Sequence, residues 1–185
     1  MPYIQVPEGV PGIRGLFLVR PEVAGPITAL TETLLCAPNT LTRGERELIA
    51  ARVSGGNDCA FCRTSHAAIA ACHLGDDALV ASVVSDPGGA PLSAKFLALL
   101  ALADRVREGG RAVRDEDVAR ARREGATDLE IHDTVLIAAA FCMFNRYVDG
   151  LAAWTPADPA WYRERARHVA AHGYGAPVPP ALPAR

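Results

Sequence analysis

Four residues of this chain have the types and the spacing to do redox chemistry: Glu47, Cys59, Cys62 and His66, in the stretch ELIAARVSGGNDCAFCRTSH. A helix through its second half puts Cys59, Cys62 and His66, at i, i+3 and i+7, on one face. A cysteine attacks a peroxide or a disulfide only as thiolate, so it needs a proton acceptor or positive surroundings. His66 is spaced to take a proton from Cys62, directly or through a water. Glu47 would hold the imidazole in one tautomer and stabilise its cation. The second cysteine would condense with a sulfenic acid to a disulfide, which protects against over-oxidation. Which thiol attacks stays open from these residues alone. A place in the first helical turn, where the dipole and free N–H groups lower a thiol pKa, favours Cys59; nearness to the base favours Cys62.

The same side chains admit plainer readings. Read alone, Glu47 is a solvated helix charge, His66 a satisfied histidine, and the cysteines two small buried apolar groups. Cys59, Cys62 and His66 would supply three zinc ligands, but no fourth follows at customary spacing, and Cys72 and His73 sit too far along the helix. A structural zinc site is therefore the lesser reading. Cys36, Cys72 and Cys142 read as packing. Asn145, Arg146 and Asp149 suggest substrate binding, but an Arg146–Asp149 pair near a helix end capped by Gly150 is the preferred account.

The elements that must position these groups are helices. Residues 1–25 are rich in Pro and Gly and read as an extended arm, pinned by Leu16, Phe17, Leu18 and Val19. A helix follows from Pro26 to about Cys36. Thr42 and Glu45 form a capping box for the next, which Gly55-Gly56 ends. Asn57 or Asp58 then caps the helix carrying the cysteines, which stops near Gly75, so the two should form an antiparallel hairpin that returns Glu47 to the thiols. Further helices start at Asp76, Ser93, Asp115, Thr127 (with Glu130, a second capping box) and Asp158. No stretch alternates like a strand. The expectation is an all-α chain: an arm at 1–25, one helical domain at 26–172, and a flexible Pro- and Gly-rich tail at 173–185.

Composition narrows the function. A net charge of −2 in 185 residues, with scattered basic groups, predicts no nucleic-acid partner. No run of about 18 apolar residues occurs, so no membrane span is expected. The N-terminus lacks a secretory pattern and the five cysteines lack regular spacing, which together point to the cytoplasm and away from a secreted disulfide framework.

Glu-x11-Cys-x2-Cys-x3-His, matched by Glu47, Cys59, Cys62 and His66, resembles the signature of the alkylhydroperoxidase AhpD and carboxymuconolactone decarboxylase family. The flanking RELIAARVS and FNRYVDG resemble its peroxidase-related members, over roughly residues 25–155. The resemblance implies an AhpD-like all-helical fold, a trimer or hexamer, and no bound cofactor. It implies a thiol-dependent alkyl hydroperoxide reductase in which Cys62 is peroxidatic, Cys59 resolves it, and His66 with Glu47 forms the proton relay. The reductant would be a lipoyl protein, a thioredoxin-like protein or a small thiol. Some AhpD proteins carry a further relay histidine just before the second cysteine, where this chain has Phe61. Two alternatives remain: a cofactor-free decarboxylase of the family's other branch, which needs no cysteine pair, and a non-enzymatic oligomeric redox sensor.

Overall fold

The computed structural model describes residues 1–176. In these, nine α-helices follow one another with three short 3-10 turns and no strand. They are α1 (Gly12–Val19), α2 (Ala24–Cys36), α3 (Arg43–Gly56), α4 (Ala60–Leu74), α5 (Asp77–Ser85), α6 (Ala94–Glu108), α7 (Asp115–Arg123), α8 (Asp128–Gly150) and α9 (Pro159–His172). None of them is long and apolar enough to cross a membrane.

Short side-chain-to-backbone bonds start most of these helices. Thr42 and Glu45 close a reciprocal capping box on α3, and Thr127 and Glu130 do the same on α8. Single side chains cap α5 (Asp76), α6 (Ser93) and α9 (Asp158). Gly75, at a φ of +71°, ends α4 in the left-handed conformation that glycine adopts without a Cβ penalty.

Helix α3 is the centre of the molecule, in contact with α2, α4, α5, α6 and α8. It has no solvent-facing stripe: Leu48, Ile49, Ala50, Ala51 and Val53 are all buried, and Glu47 goes inside with them. Its densest packing is against α4. A Cβ on Gly44, at the start of α3, would meet Leu74 at the end of α4; one on Gly55, at the end of α3, would meet Arg63 at the start of α4. The two helices thus run in opposite directions. Phe96, Leu99 and Leu100 of α6 and Ile137, Phe141 and Phe144 of α8 complete the core beside α3.

Four sequence expectations need correction. Residues 1–25 are not extended throughout, because they hold α1 and a 3-10 turn at Pro21–Val23. Gly12 and Gly15 serve there as points of close approach rather than as helix breakers. A Cβ on Gly12 would lie 2.1 Å from Phe61 Cε1, and Gly12 sits at a φ of +57°. Gly12 N–H also donates to Trp154 O at 2.8 Å, tying α1 to the segment after α8. Of the four proposed anchors Leu16 is fully buried, whereas Leu18 and Val19 are exposed.

Neither Asn57 nor Asp58 caps α4. Asp58 turns the chain at a φ of +58°, and Cys59 itself occupies the N-cap position without bonding through its side chain. Helix α7 likewise has its cap one residue before the expected one, at Arg114, so Asp115 is its first residue. Arg114 N–H donates to Asp117 Oδ2 at 3.0 Å, because a carboxylate in the first turn can reach back to the flanking amide. Finally, residues 173–176 of the expected tail are docked: Tyr174 N–H donates to Glu32 Oε2 at 2.6 Å. Residues 177–185 lie outside the described part.

Gly12→Ala should destabilise the fold by roughly 2–4 kcal/mol, summing left-handed strain and overpacking against Phe61. Urea unfolding of the purified variant measures it. A change within 0.5 kcal/mol of wild type would mean that α1 does not rest on Phe61.

Candidate active site

Glu47 comes from the buried face of α3 and is 1% exposed; His66 comes from the facing side of α4 and is 9% exposed. Glu47 read alone is therefore not a solvated charge. His66 Nδ1 lies 2.7 Å from Glu47 Oε2. With the carboxylate ionised, Nδ1 must carry the hydrogen and donate it, which leaves the lone pair on Nε2. The edge of the imidazole meets Phe141, with ring centroids 4.5 Å apart, and its face lies over Tyr174 at 6.0 Å.

Tyr174 is the residue of this site that the sequence analysis missed. Its hydroxyl donates to Glu47 Oε1 at 2.6 Å and lies 3.2 Å from His66 Nδ1. Both carboxylate oxygens of Glu47 are thus engaged, one by imidazole and one by phenol, which a buried carboxylate requires. The one available signal was a lone aromatic residue in a tail that otherwise has nothing to bury.

Cys59 and Cys62 are free thiols, both buried. They sit with Phe61, Val148 and Tyr162 in a small cluster where α4 meets the end of α8 and the start of α9. The Cys62 thiol is pushed well above the ordinary thiol range: first by its hydrogen bond to the neighbouring Cys59 thiol, then by burial. The Asn145 amide opposes this by hydrogen-bonding the Cys62 sulfur, which favours the thiolate. Asn145 is itself held by Ser54 Oγ, to which its Nδ2 donates at 3.0 Å, and by Asn57 Nδ2, which donates to its Oδ1 at 2.9 Å. So Asn145, one of three polar residues near the end of α8 that the sequence flagged, belongs beside the thiols. Arg146 does not: its guanidinium donates to Cys142 O at 2.9 Å, one turn back on α8. Asp149 acts on Cys62 only as a neighbouring negative charge.

Cys62 and His66 line one cavity of about 330 Å³ whose walls come from α1, α2, α4, α8, α9 and residues 174–176. Cys59 does not reach its wall. No direct hydrogen bond joins Cys62 to His66 among the described residues, so a proton passing between them needs a bridging water in the cavity. Phe61, at the position before Cys62, also lines the cavity and packs on Trp161, with centroids 6.1 Å apart. An aromatic wall stands where a further relay histidine would be. No group of three or more His, Cys, Asp or Glu side chains among the described residues is placed to hold a metal ion.

Several acids are held in their protonated form. Besides Cys62, burial and then Glu47 raise Tyr174 well above the ordinary phenol value, burial raises Cys36 to about 11, and burial with the nearby Cys62 raises Tyr162 to about 12. Each binds its proton more tightly folded than unfolded. Their contribution to stability is therefore full below the unfolded values, about 8.5 for thiols and 10 for tyrosines, and is lost as pH climbs toward the folded ones. The melting temperature should fall steadily above about pH 8.5. A flat profile from pH 7 to 10.5 would contradict this burial pattern.

Comparison with known proteins agrees with the geometry. The sequence pattern described as "Carboxymuconolactone decarboxylase family" matches residues 21–105. No curated protein matches the chain. Among solved structures, one from Ralstonia eutropha described as an alkylhydroperoxidase AhpD core, an uncharacterized peroxidase-related protein, superposes with a TM-score of 0.76 at 25% identity, covering 83% of this chain and 82% of that one. An uncharacterized peroxidase-related protein from Silicibacter superposes with a TM-score of 0.76 at 27% identity, covering 85% and 81%. A protein of unknown function from Agrobacterium tumefaciens shares the fold, with a TM-score of 0.67 at 22% identity over 77% of this chain and 97% of that one. In its fold, and in the sequence pattern matched over residues 21–105, the chain is AhpD-like and similar to the carboxymuconolactone decarboxylase family.

Proposed function

We propose that this protein is a thiol-dependent hydroperoxide reductase in which Cys62 attacks the peroxide and Cys59 resolves the product. The observation that carries the reading is His66, paired with the buried Glu47 behind it, on the same cavity as Cys62, with the Cys59 thiol next to Cys62. The peroxidase-related names of its structural neighbours support it.

The Cys62 proton passes through a cavity water to His66 Nε2, and Glu47 stabilises the imidazolium. The thiolate sulfur bonds to the terminal peroxide oxygen and the O–O bond breaks. The leaving alkoxide takes the proton from His66, giving an alcohol and a Cys62 sulfenic acid. Cys59 then attacks that sulfur, the S–S bond forms, and the oxygen leaves as water. Two electrons and two protons from an external dithiol restore the pair. Both thiols are buried, so a small thiol or an extended lipoyl arm entering the cavity suits that step better than a globular thioredoxin-like surface. We assign the protein to a reducing compartment, the cytoplasm, because regenerating the dithiol needs a thiol reductant.

Self-association, as a trimer or hexamer, belongs to this reading. Leu129, Leu136 and Met143 stand exposed at intervals of seven along α8, an outward apolar stripe suited to a second copy.

Stopped-flow mixing with cumene hydroperoxide, followed by thiol counting, tests the proposal. The expected result is loss of two of the five thiols per chain; all five still reduced would refute it. The decarboxylase-type alternative predicts turnover that survives thiol alkylation. The redox-sensor alternative predicts an oxidation-dependent change of assembly with no turnover of peroxide.

A further inference from the structure

Two arginines from opposite ends of the chain, Arg14 on α1 and Arg165 on α9, line the same cavity as Cys62 and His66. Among the described residues, no Asp or Glu is in its walls. Among them too, Arg165 Nη1 is buried without a hydrogen-bond partner, and so is Ser65 Oγ on the same wall. Arg107 Nε likewise lacks a hydrogen-bond partner, but its other nitrogen Nη1 donates to Gly56 O at 3.0 Å, and two further inward-facing arginines are well satisfied. Arg52 forks Asp104 with N–O distances from 3.0 to 3.3 Å, and Arg46 donates to Leu34 O at 2.9 Å. Burial, and then the neighbouring Arg14, lower Arg165 to about 10, so the site strains to hold its own charge. A buried guanidinium nitrogen left unpaired is costly, and here the half-buried Arg14 stands beside it with no acid lining the cavity among the described residues. Ile27, Ile69, Phe141 and Trp161 give the wall a large apolar part.

We infer that the cavity binds an amphipathic carboxylate, its charged head forked by Arg14 and Arg165 and its apolar body reaching toward Cys62. Guanidinium and carboxylate match in planar, two-point geometry, and the pairing strengthens where water is excluded. Ser65 Oγ supplies a further donor. Resting on the reductase reading, this makes the preferred substrate a hydroperoxide that also carries a carboxylate, as an oxidised aliphatic or aromatic acid does.

Binding is measured by fluorescence, because Trp161 lines the cavity. The probes are octanoate and its neutral isostere octanamide, at low ionic strength, on the reduced full-length protein. Octanoate should bind at least about tenfold more tightly, as one charge-assisted pairing provides. Added salt should erode that preference, and Arg14→Gln combined with Arg165→Gln should bring the two affinities within about threefold. Arg165→Lys, which keeps charge and loses the fork, should fall between. Equal affinities in the wild type, or a preference that survives in the double variant, would overturn the inference. The wild-type comparison decides even if a variant fails to fold.

A second arm compares cumene hydroperoxide with its para-carboxylated analogue. The carboxylated peroxide should oxidise the dithiol about tenfold faster, and the double arginine variant should lower that ratio. The two readings fail separately. Octanoate preference without oxidation by either peroxide upholds the anion site and refutes the reductase. Oxidation by cumene hydroperoxide without octanoate preference does the reverse.

Discussion

Cys62→Ser should abolish reaction with hydroperoxide, whereas Cys59→Ser should keep the first step and lose the second. The asymmetry follows from position. Cys62 lines the cavity beside His66, and the Asn145 amide favours its thiolate; Cys59 lies behind it, fully buried and off the cavity wall. A serine hydroxyl at 62 is too weak an acid and nucleophile to replace the thiolate, so the rate should drop by at least about three orders of magnitude. In Cys59→Ser, one equivalent of peroxide should be consumed in a burst. The product should be a sulfenic acid at Cys62, which excess peroxide carries on to the sulfinic acid because nothing resolves it. Stopped-flow traces with intact-protein mass measurement distinguish the two. A reactive Cys62→Ser with an inert Cys59→Ser would reverse the assignment and restore the helix N-terminus argument for Cys59.

The second large effect is expected at Glu47. Glu47→Gln keeps the shape but removes the charge that fixes the His66 tautomer and stabilises its cation. It should slow thiol oxidation by roughly two to three orders of magnitude at neutral pH, the range of a general base and its orienting partner. It should also cost about 1–3 kcal/mol of stability, since glutamine cannot accept from both His66 and Tyr174 as the carboxylate does. The pH profile separates chemistry from structure. Cys62 is held above the ordinary thiol range, so the wild-type rate should rise with pH, and the Glu47→Gln deficit should shrink as hydroxide takes over the base's work. A deficit that stays constant from pH 7 to 10 would mean that Glu47 only supports the fold.

What the sequence made legible was local. Thr42 with Glu45, Thr127 with Glu130, Ser93 and Gly75 mark helix ends through bonds made within four residues, and these ends lie where expected. Hidden features were those set by contacts between distant parts of the chain. Gly12 looks like a breaker until Phe61, 49 positions on, is seen to need the space a Cβ would take. Tyr174 looks like tail until Glu47, at a separation of 127 residues, is found to accept its hydroxyl. Arg14 and Arg165 look like scattered basic residues until the fold brings them to one cavity with no acid in its walls among the described residues. The motif brought together Cys62, His66 and Glu47, the proposed nucleophile and relay, but its spacing mis-set one detail. Cys59 stands at the N-cap of α4, outside the first turn, because the left-handed Asp58 delays the helix by a residue.

The most direct test of the account is to map the product of a single turnover. Reduced protein is mixed with one equivalent of hydroperoxide, the remaining thiols are alkylated, and the peptides are identified by mass spectrometry. The account requires a Cys59–Cys62 disulfide, with Cys36, Cys72 and Cys142 alkylated. If Cys59 and Cys62 are both recovered alkylated, or if oxidation is confined to the exposed Cys72, the account is contradicted.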